Sequence, residues 1–177
     1  MPSKSRLAGV EELDFIQLVR NHREFKRQLE ALGLSPRLAV YDRKVRGVCC
    51  AWLGLAHQHL REAKRAKTAR LGRSVYSRAY YAAYSASKAL RYLTAGVVSL
   101  HGDDHKKVGD LPADFPNLAA WTLDLSVLYE HRLRADYDNW TKTKAENKFT
   151  LAQALDKAEA FVRDCETYLQ KECGIQL

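Results

Sequence analysis

The chain is short of the residues that break helices, with only four prolines and nine glycines among 177 residues. β-branched residues are sparse, while alanine, leucine, lysine, arginine and glutamate dominate. The first shortage argues against frequent turns and the second against sheet, so composition points to an all-α protein. No apolar run reaches the length of a membrane span. The opening "MPSKSRLAGVEELDF" lacks the apolar core of a signal peptide. Cys49, Cys50, Cys165 and Cys173 have neither metal-ligand spacing nor the pattern of a secreted disulfide framework. They read as reduced thiols, mostly buried, in a cytoplasmic protein. No metal and no cofactor are expected. Acidic residues are also in deficit, 21 against 29 lysines and arginines, for a formal charge of +8. That excess favours an anionic partner, nucleic acid first, although a basic surface also serves solubility.

The length suits one domain with a real core. Five helical segments are expected. The first runs from about Val10 to Leu32, with Phe15, Leu18, His22, Phe25, Leu29 and Leu32 at helical spacing and Gly33 after it. The second runs from about Leu38 to Leu71 on a stripe of Val45, Cys49, Trp52, Ala56, Leu60 and Ala63. The third, from about Arg73 to Ala95, is rich in small residues and tyrosine. Ala79, Ala82, Ala86, Ala89 and Leu93 share one face, and Tyr80, Ala83, Tyr84 and Ser87 another. Small faces let neighbours approach closely, so this helix should be central. A connector, "GVVSLHGDDHKKVGDLPADFP", holds three glycines and two prolines and reads as a loop with at most a short helical turn. The fourth helix runs from about Asn117 to Asp138. The fifth opens at Thr150 with a capping box and carries Leu151, Leu155, Ala158, Val162, Cys165 and Leu169. Short links favour antiparallel neighbours, hence an up-and-down bundle of four to five helices. Residues 1–40 read as an N-terminal helical extension and 41–177 as the bundle.

The stretch "HRLRADYDNW" closes the fourth helix. Leu118, Trp121, Leu125 and Leu128 form its core stripe, and the same spacing continues to Arg132 and Asp136. Leu123 and Val127 form a second line that Arg134 extends. Arg132 is therefore a charge on the core line, and buried charges need partners. Asp136, one turn on, is within reach. An Arg134–Asp138 pair would be a surface bridge of little worth.

"YSRAYYAAYSASKALRYL", then a glycine-containing loop with "HKKV", then "LSVLYEHRLRADYDNW", resembles the HEPN superfamily. The likeness is to small prokaryotic members with a Ser-Arg-Ala-Tyr-Tyr-Ala-Ala segment, here Ser77 to Ala83. Their next helix ends Arg-x-x-Ala-Asp-Tyr, here Arg132, Ala135, Asp136 and Tyr137. It covers about Cys49 to Leu169. The resemblance implies a helical bundle, usually a homodimer. It also implies a toxin–antitoxin or phage-defence setting, RNA as substrate or ligand, and a nucleotidyltransferase-type antitoxin as partner. Active members pair an arginine with a histidine after four to six intervening residues, and their metal-independent ribonuclease chemistry rests on both. On that resemblance Arg132, Asp136 and Tyr137 are the catalytic candidates. Here Tyr137, Asp138 and Asn139 stand where that histidine should, which argues against RNA cleavage but not against phosphate binding. With a pKa near 10, a tyrosine is a poor general base at neutral pH. The alternative is a non-enzymatic helical module that docks a nucleotidyltransferase or another protein.

Other constellations have two readings each. Arg61, Lys64, Arg65, Lys67, Arg70, Arg73 and Arg78 face Glu62 alone. With Arg134 they are candidates for a phosphate-backbone track, or they form a solvated basic hairpin. "HGDDH" offers His101 and His105 at metal spacing, but Gly102 and the loop around it argue against a rigid helical site. Tyr80 and Tyr84 read as core. Tyr81, on the side of Arg78, Ser85 and Lys88, is the better candidate for a ligand or interface.

Overall fold

A computed structural model describes residues 21–34, 38–97, 99, 102–137 and 147–174. Within them lie five α-helices: α1 (His22–Ala31), α2 (Leu38–Thr68), α3 (Gly72–Ala95), α4 (Leu118–Tyr137) and α5 (Leu151–Cys173). A 3₁₀ turn, Gly102–Lys107, interrupts the connector before α4. No strand occurs among the described residues, only one isolated bridge between Asn21 and Val97. The protein is an all-α helical bundle.

Local chemistry sets the helix ends. Three residues link α2 to α3, and Arg70 takes the left-handed conformation there at φ 58. The Arg70 and Leu71 N–H groups then bond back to Lys67 and Ala66 carbonyls, which closes α2. At the end of α3, Gly96 takes φ 80 and its N–H reaches the Tyr92 carbonyl. Thr150 caps α5: its hydroxyl accepts from the Gln153 N–H and the Gln153 side chain accepts from the Thr150 N–H.

Packing follows the small-residue pattern. α3 lies against α2, α4 and α5. Ala79, Ala82, Ala83, Ala86 and Ala89 are all fully buried on it, so neighbouring backbones approach closely and one helix serves as the common wall. α2 and α5 run antiparallel, as Arg46 bonding the Gly174 carbonyl at one end and Lys64 pairing with Glu159 toward the other show. Trp121 of α4 donates to Asp164 of α5, and Lys157 of α5 pairs with Asp124 of α4. The bundle is therefore up-and-down from α2 to α5. Of the two apolar lines on α4, the second divides: Val127 is buried, whereas Leu123 is 64% exposed.

Among the described residues of the N-terminal extension, polar contacts tie α1 to the bundle. His22 Nε2–H donates to the Tyr92 carbonyl at 2.7 Å, and its backbone N–H donates to Gly96 at 2.8 Å. Tyr41 Oη donates to the His22 carbonyl, and Lys26 pairs with Asp42. On the expected apolar stripe His22 is buried and Leu29 half-buried, but Phe25 is 37% and Leu32 72% exposed, the latter lying past Ala31 as the C-cap of α1. The earlier part of the expected first helix lies outside the described residues, as does Asp138. The boundary at residue 40 falls in the first turn of α2.

Candidate functional site

The last two turns of α4 carry Arg132 at the end of the buried line Trp121, Leu125 and Leu128. Only 8% of this arginine is exposed. Its Nη2 donates to the Tyr81 hydroxyl at 2.7 Å and to the Tyr137 hydroxyl at 3.3 Å. The guanidinium also lies over both tyrosine rings, 5.3 and 5.1 Å from their centroids. Nε sits 2.8 Å from an Asp136 carboxylate oxygen, but its N–H is not aimed at that oxygen. The contact is therefore a charge pair, and the buried Nε–H keeps no acceptor. Burial is the largest influence and works against the charged form, but the Tyr81 hydrogen bond together with the electrostatics of Tyr81, Asp136 and Tyr137 outweighs it and raises the Arg132 pKa. A buried donor without a well-aimed partner costs about 1–3 kcal/mol, and among the described residues a single carboxylate, that of Asp136, balances this cation.

Tyr81 joins Arg132 to a second set of groups. His105, from the 3₁₀ turn, stands 5.9 Å from Tyr81, centroid to centroid and edge-on. Its ring is stacked on Tyr84 at 4.3 Å and lies nearly parallel to Tyr129 at 6.4 Å. Its Nδ1 is 2.9 Å from the Tyr80 hydroxyl. Burial, followed by the Arg132 charge, depresses the imidazole pKa, so the ring is neutral near pH 7. On the other flank His59 lies 5.7 Å from Tyr81, with Glu62 and Arg78 both near its Nδ1 at 3.4 Å.

The turn that presents His105 is locked by its neighbour. Asp104 is fully buried and accepts two 2.9 Å hydrogen bonds from the Arg91 guanidinium. Tyr84 adds a third at 2.8 Å, and Lys88 stands 3.7 Å away. Burial would raise this carboxyl, yet the Arg91 hydrogen bonds and charge hold it below the usual carboxylate range.

Arg132, Asp136 and Tyr137 therefore converge, and Tyr81 completes their cluster. Ser85 and Lys88 do not form an open polar side with it: Ser85 is buried and Lys88 lies in the Asp104 network, because the 3₁₀ turn covers that face. The basic residues are distributed differently. Arg61, Lys64, Arg65, Lys67 and Arg70 are exposed along α2 and the turn after it. Lys64 pairs with Glu159, and Arg78 with Glu62 at 3.2 Å. Arg73 donates from Nε to the Ala135 carbonyl at 2.6 Å, tying the basic hairpin to the last turn of α4. Arg134 is exposed beside it. His131 points elsewhere, its Nε2 accepting from the Phe149 N–H at 3.1 Å. In "HGDDH", Asp104 and His105 are taken by Arg91 and Tyr80, and no cluster of metal-ligating side chains occurs among the described residues. His101 lies outside them. Sequence spacing singled out Arg132 and Tyr81 but not the approach of His105, since no helical period links a connector residue to α4. The available signal was the Tyr80–Tyr84 pair, two core hydroxyls one turn apart that both needed partners.

No family model, no curated protein and no solved structure matches this chain. Among the described residues no helix is long and apolar enough to cross a membrane.

Proposed function

We propose that this protein is a HEPN-type bundle whose Arg132 cluster binds the phosphate of RNA or of a nucleotide-bearing partner, in a toxin–antitoxin or phage-defence setting. The observation that carries this reading is the burial of Arg132, which is only 8% exposed. Two tyrosine hydroxyls and a single carboxylate orient it, and one of those tyrosines, Tyr137, is 67% exposed. An oxyanion is the ligand that fits such a cation. The exposed Arg61, Arg65, Lys67 and Arg70 lie on the hairpin that Arg73 ties to the same helix end, and they would follow a polynucleotide backbone. Cleavage is not part of the proposal, because Tyr137 and not histidine follows Arg132 at the required spacing.

The test is anisotropy of a labelled single-stranded RNA with wild type, Arg132→Ala and Arg132→Lys, alongside growth toxicity and RNA cleavage. Wild type is expected to bind, with affinity falling steeply as salt rises. Arg132→Ala should weaken binding at least tenfold, and Arg132→Lys should not restore it, because a lysine lacks the planar fork. Equal binding by wild type and Arg132→Ala would remove the reading.

A second reading has its own support. Asp136, Tyr81 and Tyr137 already make Arg132 part of an end-of-bundle network. The same residues would then serve a non-enzymatic module that docks a nucleotidyltransferase or another protein. A homodimer, and co-purification with a nucleotidyltransferase encoded beside it, belong to this proposal. Co-purification that survives Arg132→Ala, with no RNA binding by wild type, would favour the module.

A further inference from the structure

The connector between α3 and α4 brings a histidine to the site, and its chemical state indicates what it can recognise. The His105 ring is stacked on Tyr84 and lies nearly parallel to Tyr129, and the Tyr80 hydroxyl takes its Nδ1. Asp104, one residue earlier, is held by two Arg91 hydrogen bonds in a fully buried position, so the backbone carrying His105 is fixed as well. The half-buried ring retains one nitrogen, Nε2, with no hydrogen-bond partner among the described residues. Tyr81 stands between this imidazole and the Arg132 guanidinium, within 6 Å of each.

The site thus has two unlike poles. Arg132 is a permanent cation and suits a phosphate. His105 is neutral near pH 7 and is the weaker anion ligand of the two. A neutral imidazole with one free nitrogen suits a hydroxyl, which donates or accepts as required. The Tyr80 hydroxyl has the same freedom on Nδ1, so either tautomer can be accommodated. In RNA every phosphate is followed along the strand by a ribose, and the 2′-hydroxyl of that sugar is the group by which a protein tells RNA from DNA.

We propose that His105 reads the ribose 2′-hydroxyl of an RNA strand whose phosphate lies on Arg132, so that the site prefers RNA to DNA of the same sequence. This inference rests on the RNA-binding reading of the Arg132 cluster. One hydrogen bond of this kind gives a preference of about five- to tenfold. Tyr80, Tyr84 and Tyr129 act as positioning residues.

The test is binding of one labelled single-stranded sequence as RNA and as DNA to wild type, His105→Ala and Arg132→Ala. Wild type should prefer RNA about five- to tenfold. His105→Ala should lower RNA affinity to the DNA value and leave DNA affinity within twofold. Arg132→Ala should weaken both alike. An RNA preference that survives His105→Ala, or an equal loss for both nucleic acids, would overturn the role of His105 while leaving the Arg132 reading standing. No binding of either nucleic acid by wild type would overturn both. Should His105→Ala fail to fold, nitrogen-15 spectra of wild type answer the same question. The His105 Nε2 resonance should move on adding a ribo-trinucleotide and stay in place with its 2′-deoxy counterpart. A resonance that ignores both, or moves equally with both, would overturn the assignment.

Discussion

Arg132 and Asp104 are both buried ionic residues, but their surroundings are opposite. Asp104 is saturated: Arg91, Tyr84 and Lys88 all address its two oxygens. Removing its charge strands the Arg91 guanidinium, whose side chain is only 6% exposed. Asp104→Asn is therefore expected to cost about 3 kcal/mol of folding stability, read from urea denaturation. A loss below about 1 kcal/mol would show that the network contributes little. Among the described residues Arg132 meets only one carboxylate and two tyrosine hydroxyls, one of them on the 67%-exposed Tyr137, so its replacement should change binding more than stability. Of these two residues only Arg132 was legible in the sequence, since it falls on the periodic line of Trp121, Leu125 and Leu128. Asp104 sits in a connector whose composition indicates a loop and nothing of its burial. The information that buries it lies in Arg91, Lys88 and Tyr84 on another element, and single-chain periodicity does not join the two.

The elements themselves were largely readable. The Thr150 capping box, the alanine face of α3 and the stripe of α2 all pack as their spacing indicates. The ends were read less well: α2 stops at Thr68 because Arg70, not a glycine, takes the left-handed position. That conformation costs a non-glycine residue roughly 1 kcal/mol, so Arg70→Gly is expected to leave stability unchanged or raise it by up to about that amount. A clear loss in thermal unfolding would contradict the assignment. Docking of α1 depends on a different glycine. Gly96 combines φ 80 with a close approach of Arg23, whose Cγ would lie 2.5 Å from an added Cβ. Gly96→Ala should therefore loosen α1 and leave the α2–α5 bundle intact. The expected signature is faster amide exchange confined to His22–Ala31, and a global loss of protection would count against it.

Across the whole molecule, four histidines share one property. His22, His59, His105 and His131 are each pushed below the ordinary histidine value, in every case chiefly by burial. The folded chain therefore takes up protons less readily than the unfolded one. Above about pH 6.5 both states are neutral at these positions and nothing is lost. As pH falls through that value, the unfolded chain gains protons that the folded chain refuses, and stability declines. A thermal midpoint flat from pH 8 to 7 and lower by about 5 °C at pH 5 is expected; a midpoint unchanged over that range would refute it. The central place of α3 also governs the order in which the chain can assemble. Its contact with α2 needs only a three-residue link, whereas its contact with α5 must close the long chain through the connector and α4. Short closures are quick and long ones slow, so pulsed amide labelling during refolding should show α2 and α3 protected together, with α5 arriving after them.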